Sequence, residues 1–376
     1  MTSLEELIRD RIARQGPLTF RDFMALALYD PRHGYYATAS DRIGRRGDFY
    51  TASSVSNHFG RLLARQAQAI WQALGQPPDF AIAECGAGAG DLAADLLAEL
   101  RVIAPDCFRR ARYVICETSA AMRAAQAARL SAFAAMVAWS ELDALATAPI
   151  TGLIFSNELI DALPVHLLAC RGGRWREGLV TVGNGRLQLV WEAPTRPQDF
   201  ADYLAKGELA LGEGEQCEIA LDAADWLAKA AAALGRGYLV TIDYGDTGDH
   251  LSGRPAGTLR CFARHRVSED VFANLGQQDI TADANFSALI NYGTTYGLRA
   301  IQLARQADYL LQLGLLDLLQ ETVLAGETPE AVKARLALKH FLVPGGFGDR
   351  FKVLAQAKGD GLPRDLPRPS PALQAT

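Results

Sequence analysis

The segment AIAECGAGAGDLAADLL, residues 81–97, constrains this chain more than any other. A short apolar run ends at Glu84, glycines follow at 86, 88 and 90, and a helical pattern opens on Asp91. A strand that turns through glycines into a helix is a unit of a doubly wound parallel sheet, and ligands bind at such turns. The downstream sequence keeps the alternation. RYVICET reads as a strand and SAAMRAAQAARL as a helix, MVAWS as a weak strand, and GLIFSNELI and GYLVTIDYG as apolar strands with polar ends. Apolar strands alternating with helices predict a parallel sheet covered on both faces.

The expected architecture is α/β, a class I (Rossmann-like) core with additions. Residues 1–78 are predicted as a helical N-terminal segment, with a long polar, glycine-bearing loop, HGYYATASDRIGRRGDFYTASS, inside it. The core is expected over 79–358. Strand-like alternation with turn signals at Gly172-Gly173 and Asn184-Gly185 predicts an antiparallel meander inserted over about 165–218. The chain then reads as loop-rich from Asp246 to about Ile280 and as a helical addition over about 280–345. The Pro-rich stretch 359–376 reads as a disordered tail.

Two ligands suit a strand–glycine–helix turn: a dinucleotide and S-adenosylmethionine (SAM). A pyrophosphate seeks the free amides of the helix N-terminus. Asp91 is expected to cap those amides, and Glu84 adds a second negative charge nearby; both disfavour phosphate. SAM has no phosphate and carries an ammonium and a sulfonium, which Glu84 suits. Gly86, Ala87, Gly88 and Gly90 would allow close backbone approach. Glu117, at the tip of RYVICET with Thr118 beside it, is placed to accept both ribose hydroxyls. That role serves NAD as well as SAM.

The segment FSNELIDALPVH puts Asn157, Glu158 and Asp161 after an apolar strand. Carboxylates there can bind a guanidinium bidentately and take its proton, as methyl transfer to an arginine nitrogen requires. A different acceptor, or a SAM-binding assembly chaperone without catalysis, remains an alternative reading. Asp279 and Thr281 precede a predicted helix, as caps or as acceptor contacts. Arg264, His265 and Arg266 form a small basic cluster.

Composition narrows the classes. Net charge is −5, so nothing in it suggests a nucleic-acid partner. No run reaches the roughly 18–20 apolar residues of a membrane span. The six cysteines are scattered without C-x-x-C, and the six histidines form no H-x-x-H, so no metal site is expected. The N-terminus lacks an apolar signal region and is acidic for a transit peptide, and the expectation is a cytoplasmic protein. Oligomeric state is not legible.

Seven separated segments, GRRGDFYTASSVSNHFG, ECGAGAGDLAADLL, FSNELIDALPVH, TIDYG, GTLRCFARHRV, GQQDITADANFSAL and FGDRFKVLAQAK, resemble the MidA-type SAM-dependent methyltransferases. The likeness spans residues 17–358 and departs from the family wording at TASSVSNHFG. It implies a SAM cofactor and, by its mitochondrial complex I assembly member, symmetric dimethylation of an arginine on a complex I subunit. It also implies that Gly47, Asp48, Phe49, Thr51 and Ser53 fold over the cofactor as a lid.

Overall fold

The computed structural model describes residues 3–38, 57–263, 266–343 and 345–369. The chain divides into two compact units, one of residues 1–49, 159–228 and 245–292, the other of 50–158, 229–244 and 293–376.

The second unit holds the glycine turn. Its strands are β1 (Phe80–Cys85), β2 (Arg112–Cys116), β3 (Val137–Ser140), β4 (Ile150–Asn157), β5 (Leu234–Asp246), β6 (Arg299–Arg305) and β7 (Phe351–Lys358). They lie in the order β6-β7-β5-β4-β1-β2-β3. The pairs from β3 through β5 are parallel, whereas β7 runs antiparallel to both β5 and β6. This is the expected Rossmann-like core. Alternate residues of the strands, including Phe80, Ile82, Tyr113, Ile115, Phe155 and Val240, share one apolar cluster with the helices α1 (His58–Ala73) and α2 (Asp91–Ile103). Gly152 on β4 has φ of 153°, and an added Cβ there would lie 2.0 Å from the Ala81 carbonyl oxygen of β1, so the position requires glycine.

Strand order determines where a ligand fits. From β1 the chain moves one way, to β2 and β3, and then returns to place β4 and β5 on the other side. The order therefore reverses between β1 and β4, and ligands of such sheets bind outside the carboxyl ends of the strands at that point. Cys85 pairs with Ser156 there, so the glycine turn and Asn157 leave adjacent strand ends.

β6 lies inside the stretch expected as a helical addition. As an outer strand it buries little, and its mixed, charged sequence RAIQLAR carries no clean alternation. The tail, expected to be disordered, is packed where it is described: Leu366 is buried in the apolar cluster, and Gln66 Nε2 donates to the Pro367 carbonyl at 2.8 Å.

The first unit joins distant segments. Its first helix, Leu4–Gln15, starts with a capping box between Ser3 and Glu6 and buries Leu4, Ile8 and Ile12 on one stripe. Residues 18–19 pair with 179–180, which draws the N-terminal helices onto the antiparallel strands His166–Arg171, Arg174–Gly183 and Arg186–Glu192. The stretch read as loop after Asp246 contains a three-stranded antiparallel sheet of Arg260–Ala263, Arg266–Ser268 and Asp279–Thr281. Strands this short give too few residues for a periodic signal. Among the described residues, no helix is long and apolar enough to cross a membrane.

Candidate functional site

The glycine turn follows β1 with Gly86, Gly88 and Gly90 all at positive φ, 76°, 51° and 86°. Non-glycine residues take these values only under strain, so the turn is one that this spacing of glycines permits. The helix α2 then begins with Gly90 as its N-cap and no side-chain cap. The expectation that Asp91 caps this helix is corrected. Asp91 stands one position too late, and its carboxylate instead accepts from Arg129 Nε at 2.7 Å.

Glu84 is buried at the end of β1 and accepts a hydrogen bond from the Tyr113 hydroxyl at 2.6 Å. Burial pushes its carboxyl up to about 7, against the lowering effect of the Tyr113 hydrogen bond. Glu117 follows β2 and is half-buried, with Thr118 exposed beside it. One Glu117 oxygen accepts from the Ser119 amide at 2.8 Å, and the other from Gln126 Nε2 at 3.3 Å.

The neighbouring strand end carries Asn157 and Glu158. Asn157 Nδ2 donates to Glu158 Oε1 at 3.1 Å, while Asn157 Oδ1 is buried with no hydrogen-bond partner among the described residues. The Glu158 amide donates to the Ile242 carbonyl at 3.0 Å, and Glu158 itself has φ of 54°. A glutamate in this left-handed region is uncommon and costs on the order of 1 kcal/mol.

Asp161 belongs to the first unit, as do Asp279 and Thr281. Asp161 is buried and its carbonyl accepts from the Ala282 amide at 2.9 Å. The Tyr36 hydroxyl lies 3.0 Å from both Asp279 carboxylate oxygens. The Tyr36 ring stacks on Tyr29, and Asp161 and Asp279 both raise the pKa of the Tyr36 hydroxyl, after burial. Burial pushes the Asp279 carboxyl up to about 7. Asp279 and Thr281 are strand residues, not helix caps; the following helix takes its side-chain cap from Asn285, whose Oδ1 accepts from the Ala288 amide.

Gly47, Asp48, Phe49, Thr51 and Ser53 lie outside the described residues, as do Arg264 and His265; Arg266 is an exposed strand residue. Sequence reasoning missed Tyr113, Gln126, Tyr29 and Tyr36. For Gln126 a signal existed: it sits four residues after Met122, on the buried stripe of its helix.

The comparisons settle the ligand class. Residues 62–304 match the family described as "Putative S-adenosyl-L-methionine-dependent methyltransferase". The chain belongs to this family. A crystal structure from Burkholderia thailandensis bound to S-adenosyl-homocysteine (SAH) is 32% identical, with a TM-score of 0.85 over 98% of this chain and 95% of that one. The protein arginine methyltransferase NDUFAF7 homolog, mitochondrial, of Drosophila melanogaster is 27% identical over 95% of this chain and 85% of its own length. Protein arginine methyltransferase NDUFAF7, mitochondrial, of Mus musculus is 28% identical over 92% and 82%. The cofactor of this methyltransferase is therefore SAM, and the dinucleotide alternative falls.

The expectation of a cytoplasmic protein is overturned by the same relatives, which are named as mitochondrial proteins. The reasoning behind it was too weak. It rested on the character of the N-terminal residues, which does not decide the compartment.

Proposed function

We propose that this methyltransferase transfers the SAM methyl group to a guanidino nitrogen of an arginine in a protein substrate. The observation that carries the reading is Glu158. A strained backbone aims an acid at the strand end beside the glycine turn, and Asn157 orients its carboxylate. Strain of this kind clusters at functional sites and is held by the surrounding structure.

The residues present fit the cofactor. Gly86, Ala87, Gly88 and Gly90 would let the backbone approach it, Glu117 with Thr118 would take the ribose, and Glu84 would draw the ammonium. The orphaned Asn157 Oδ1 is a buried acceptor that lacks a donor such as that ammonium supplies. When bound, SAM supplies an electrophilic methyl on a sulfonium. Glu158 holds the acceptor guanidinium by charge-assisted hydrogen bonds and receives the proton that the attacking nitrogen gives up. We assign the buried Asp161, Asp279 and Tyr36, within the first unit, to binding a cationic side chain of the protein substrate, since two carboxylates act on one buried hydroxyl there. The arginine acceptor is supported by the names of the Drosophila and mouse relatives. A complex I subunit is the target we propose on the resemblance.

The test is labelled methyl transfer from SAM to arginine-bearing peptides and to matched lysine peptides. The expected result is label on arginine only, reduced about 100-fold or more in Glu158→Gln with SAM affinity kept. Label on lysine or on a small molecule, or undiminished transfer by the variant, would overturn the proposal.

A further inference from the structure

Gln126 is fully buried on the helix Ala120–Arg129, which crosses from β2 to β3, and its side-chain amide has three partners. Nε2 donates to the Gly88 carbonyl at 2.8 Å and to Glu117 Oε2 at 3.3 Å. Oε1 accepts from Trp139 Nε1 on β3 at 2.8 Å. These partners fix which way the amide faces. An indole nitrogen only donates and a carbonyl only accepts, so the reversed amide would oppose like groups at both ends. One side chain thus connects the glycine turn after β1, the acid after β2 and a ring on β3.

We infer that Gln126 is a positioning residue for ribose recognition, acting through Glu117, and that Trp139 sets its polarity. The inference rests on the assignment of Glu117 to the ribose. Glu117 receives one hydrogen bond on each oxygen, from the Ser119 amide and from Gln126. A carboxylate oxygen has two accepting directions, so each keeps one for a hydroxyl of the cofactor. The same amide holds Gly88, so the distance between the turn and the acid is set by a residue that need not touch the cofactor. This is the kind of supporting shell that keeps a binding group within the tolerance a site requires.

The experiment is calorimetric titration of SAH, and of its analogue lacking both ribose hydroxyls, into the full-length protein and the variants Gln126→Leu and Trp139→Phe. The wild type is expected to prefer SAH by about 10-fold or more, the yield of hydrogen bonds to a charged group. Gln126→Leu should erase most of that preference by weakening SAH while the hydroxyl-free analogue binds nearly as before. Trp139→Phe should reduce the preference by about 3-fold. In turnover, both variants should raise KM for SAM and retain kcat at saturation. Equal weakening of both ligands in the variants would show that Gln126 only packs the helix, and would overturn the inference. A wild type that binds both ligands equally would instead remove Glu117 from the ribose and the inference with it. A wild type that binds neither would refute the placement of the cofactor itself. If Gln126→Leu does not fold, Trp139→Phe carries the same comparison, because it removes one donor and keeps an aromatic ring.

Discussion

Among the described residues each unit buries a carboxylic acid against a tyrosine hydroxyl, and the two pairs differ in their surroundings. In the parallel-sheet unit, Tyr113 donates to one oxygen of Glu84 at 2.6 Å. In the other unit, the Tyr36 hydroxyl is 3.0 Å from both oxygens of Asp279, with Tyr29 stacked on its ring and Asp161 acting on the same hydroxyl. Burial lifts both acids to about 7. The same local chemistry therefore stands once as a single acid at the end of β1, and once inside a group that gathers a second acid. On the proposed reading, the first serves one small cation end, the ammonium of SAM, and the second a larger cation such as a guanidinium. The lesson is that a shifted carboxyl says little alone; what surrounds it, and which strand end it occupies, tells what it serves.

The comparison breaks most sharply at the glycine turn. Gly88→Val places a β-branched residue at φ of 51° and is expected to abolish SAM binding, about 100-fold or more, while the Tyr36–Asp279 pair keeps its geometry. Titration with SAM measures it, and unchanged affinity would move the site elsewhere. Next come the acids. Glu84→Gln should raise KM for SAM about 10-fold and leave the acceptor KM alone, whereas Asp279→Asn should do the reverse. If both variants shift the same KM, the two pairs do not divide the work as proposed.

The pH dependence sharpens the same contrast. Glu84 must be charged to draw an ammonium, so SAM affinity should rise with pH through about 7, and this rise should vanish in Glu84→Gln but persist in Asp279→Asn. Stability runs the opposite way. Both carboxyls have folded values raised above their ordinary 4.5 and 3.8, so the folded protein holds more protons than the unfolded chain between those values and about 7. The free protein should therefore lose stability as pH rises through that window, and each of the two variants should flatten part of the fall in melting temperature. The smallest expected effect is that of Tyr113→Phe, which removes one hydrogen bond and should cost about 1 kcal/mol at a pH where Glu84 is charged. Denaturant melts at pH 8 would register it.

The parts of this molecule legible in sequence were those built from neighbours in the chain. The glycine turn, Glu117 after β2 and Asn157-Glu158 at the end of β4 each stand at or within a few residues of a recognisable strand. What escaped depended on distant pairing. Leu18 meets Val180, and Arg260 meets Thr281, so the unit that collects 1–49 with 159–228 and 245–292 has no local signature. Tyr36 and Asp279 are 243 residues apart and were never candidates as a pair. Gln126 escapes for a different reason: its spacing of four from Met122 marks the buried stripe, but in the Ala-rich helix AAMRAAQAAR a glutamine reads as a surface residue, and its partners show only in the fold. Asp91 was misread by one position, because the cap falls to Gly90.

The central claim is that Glu158 bears backbone strain for the sake of transfer, and Glu158→Gly tests it most directly. Glycine accepts the positive φ freely, so the variant should melt at the same or a higher temperature and bind SAM as before. Methyl transfer to arginine should fall about 100-fold or more. A variant that is no less stable and still transfers the methyl at the wild-type rate would contradict the account, because Glu158 would then be strained for no purpose in the reaction.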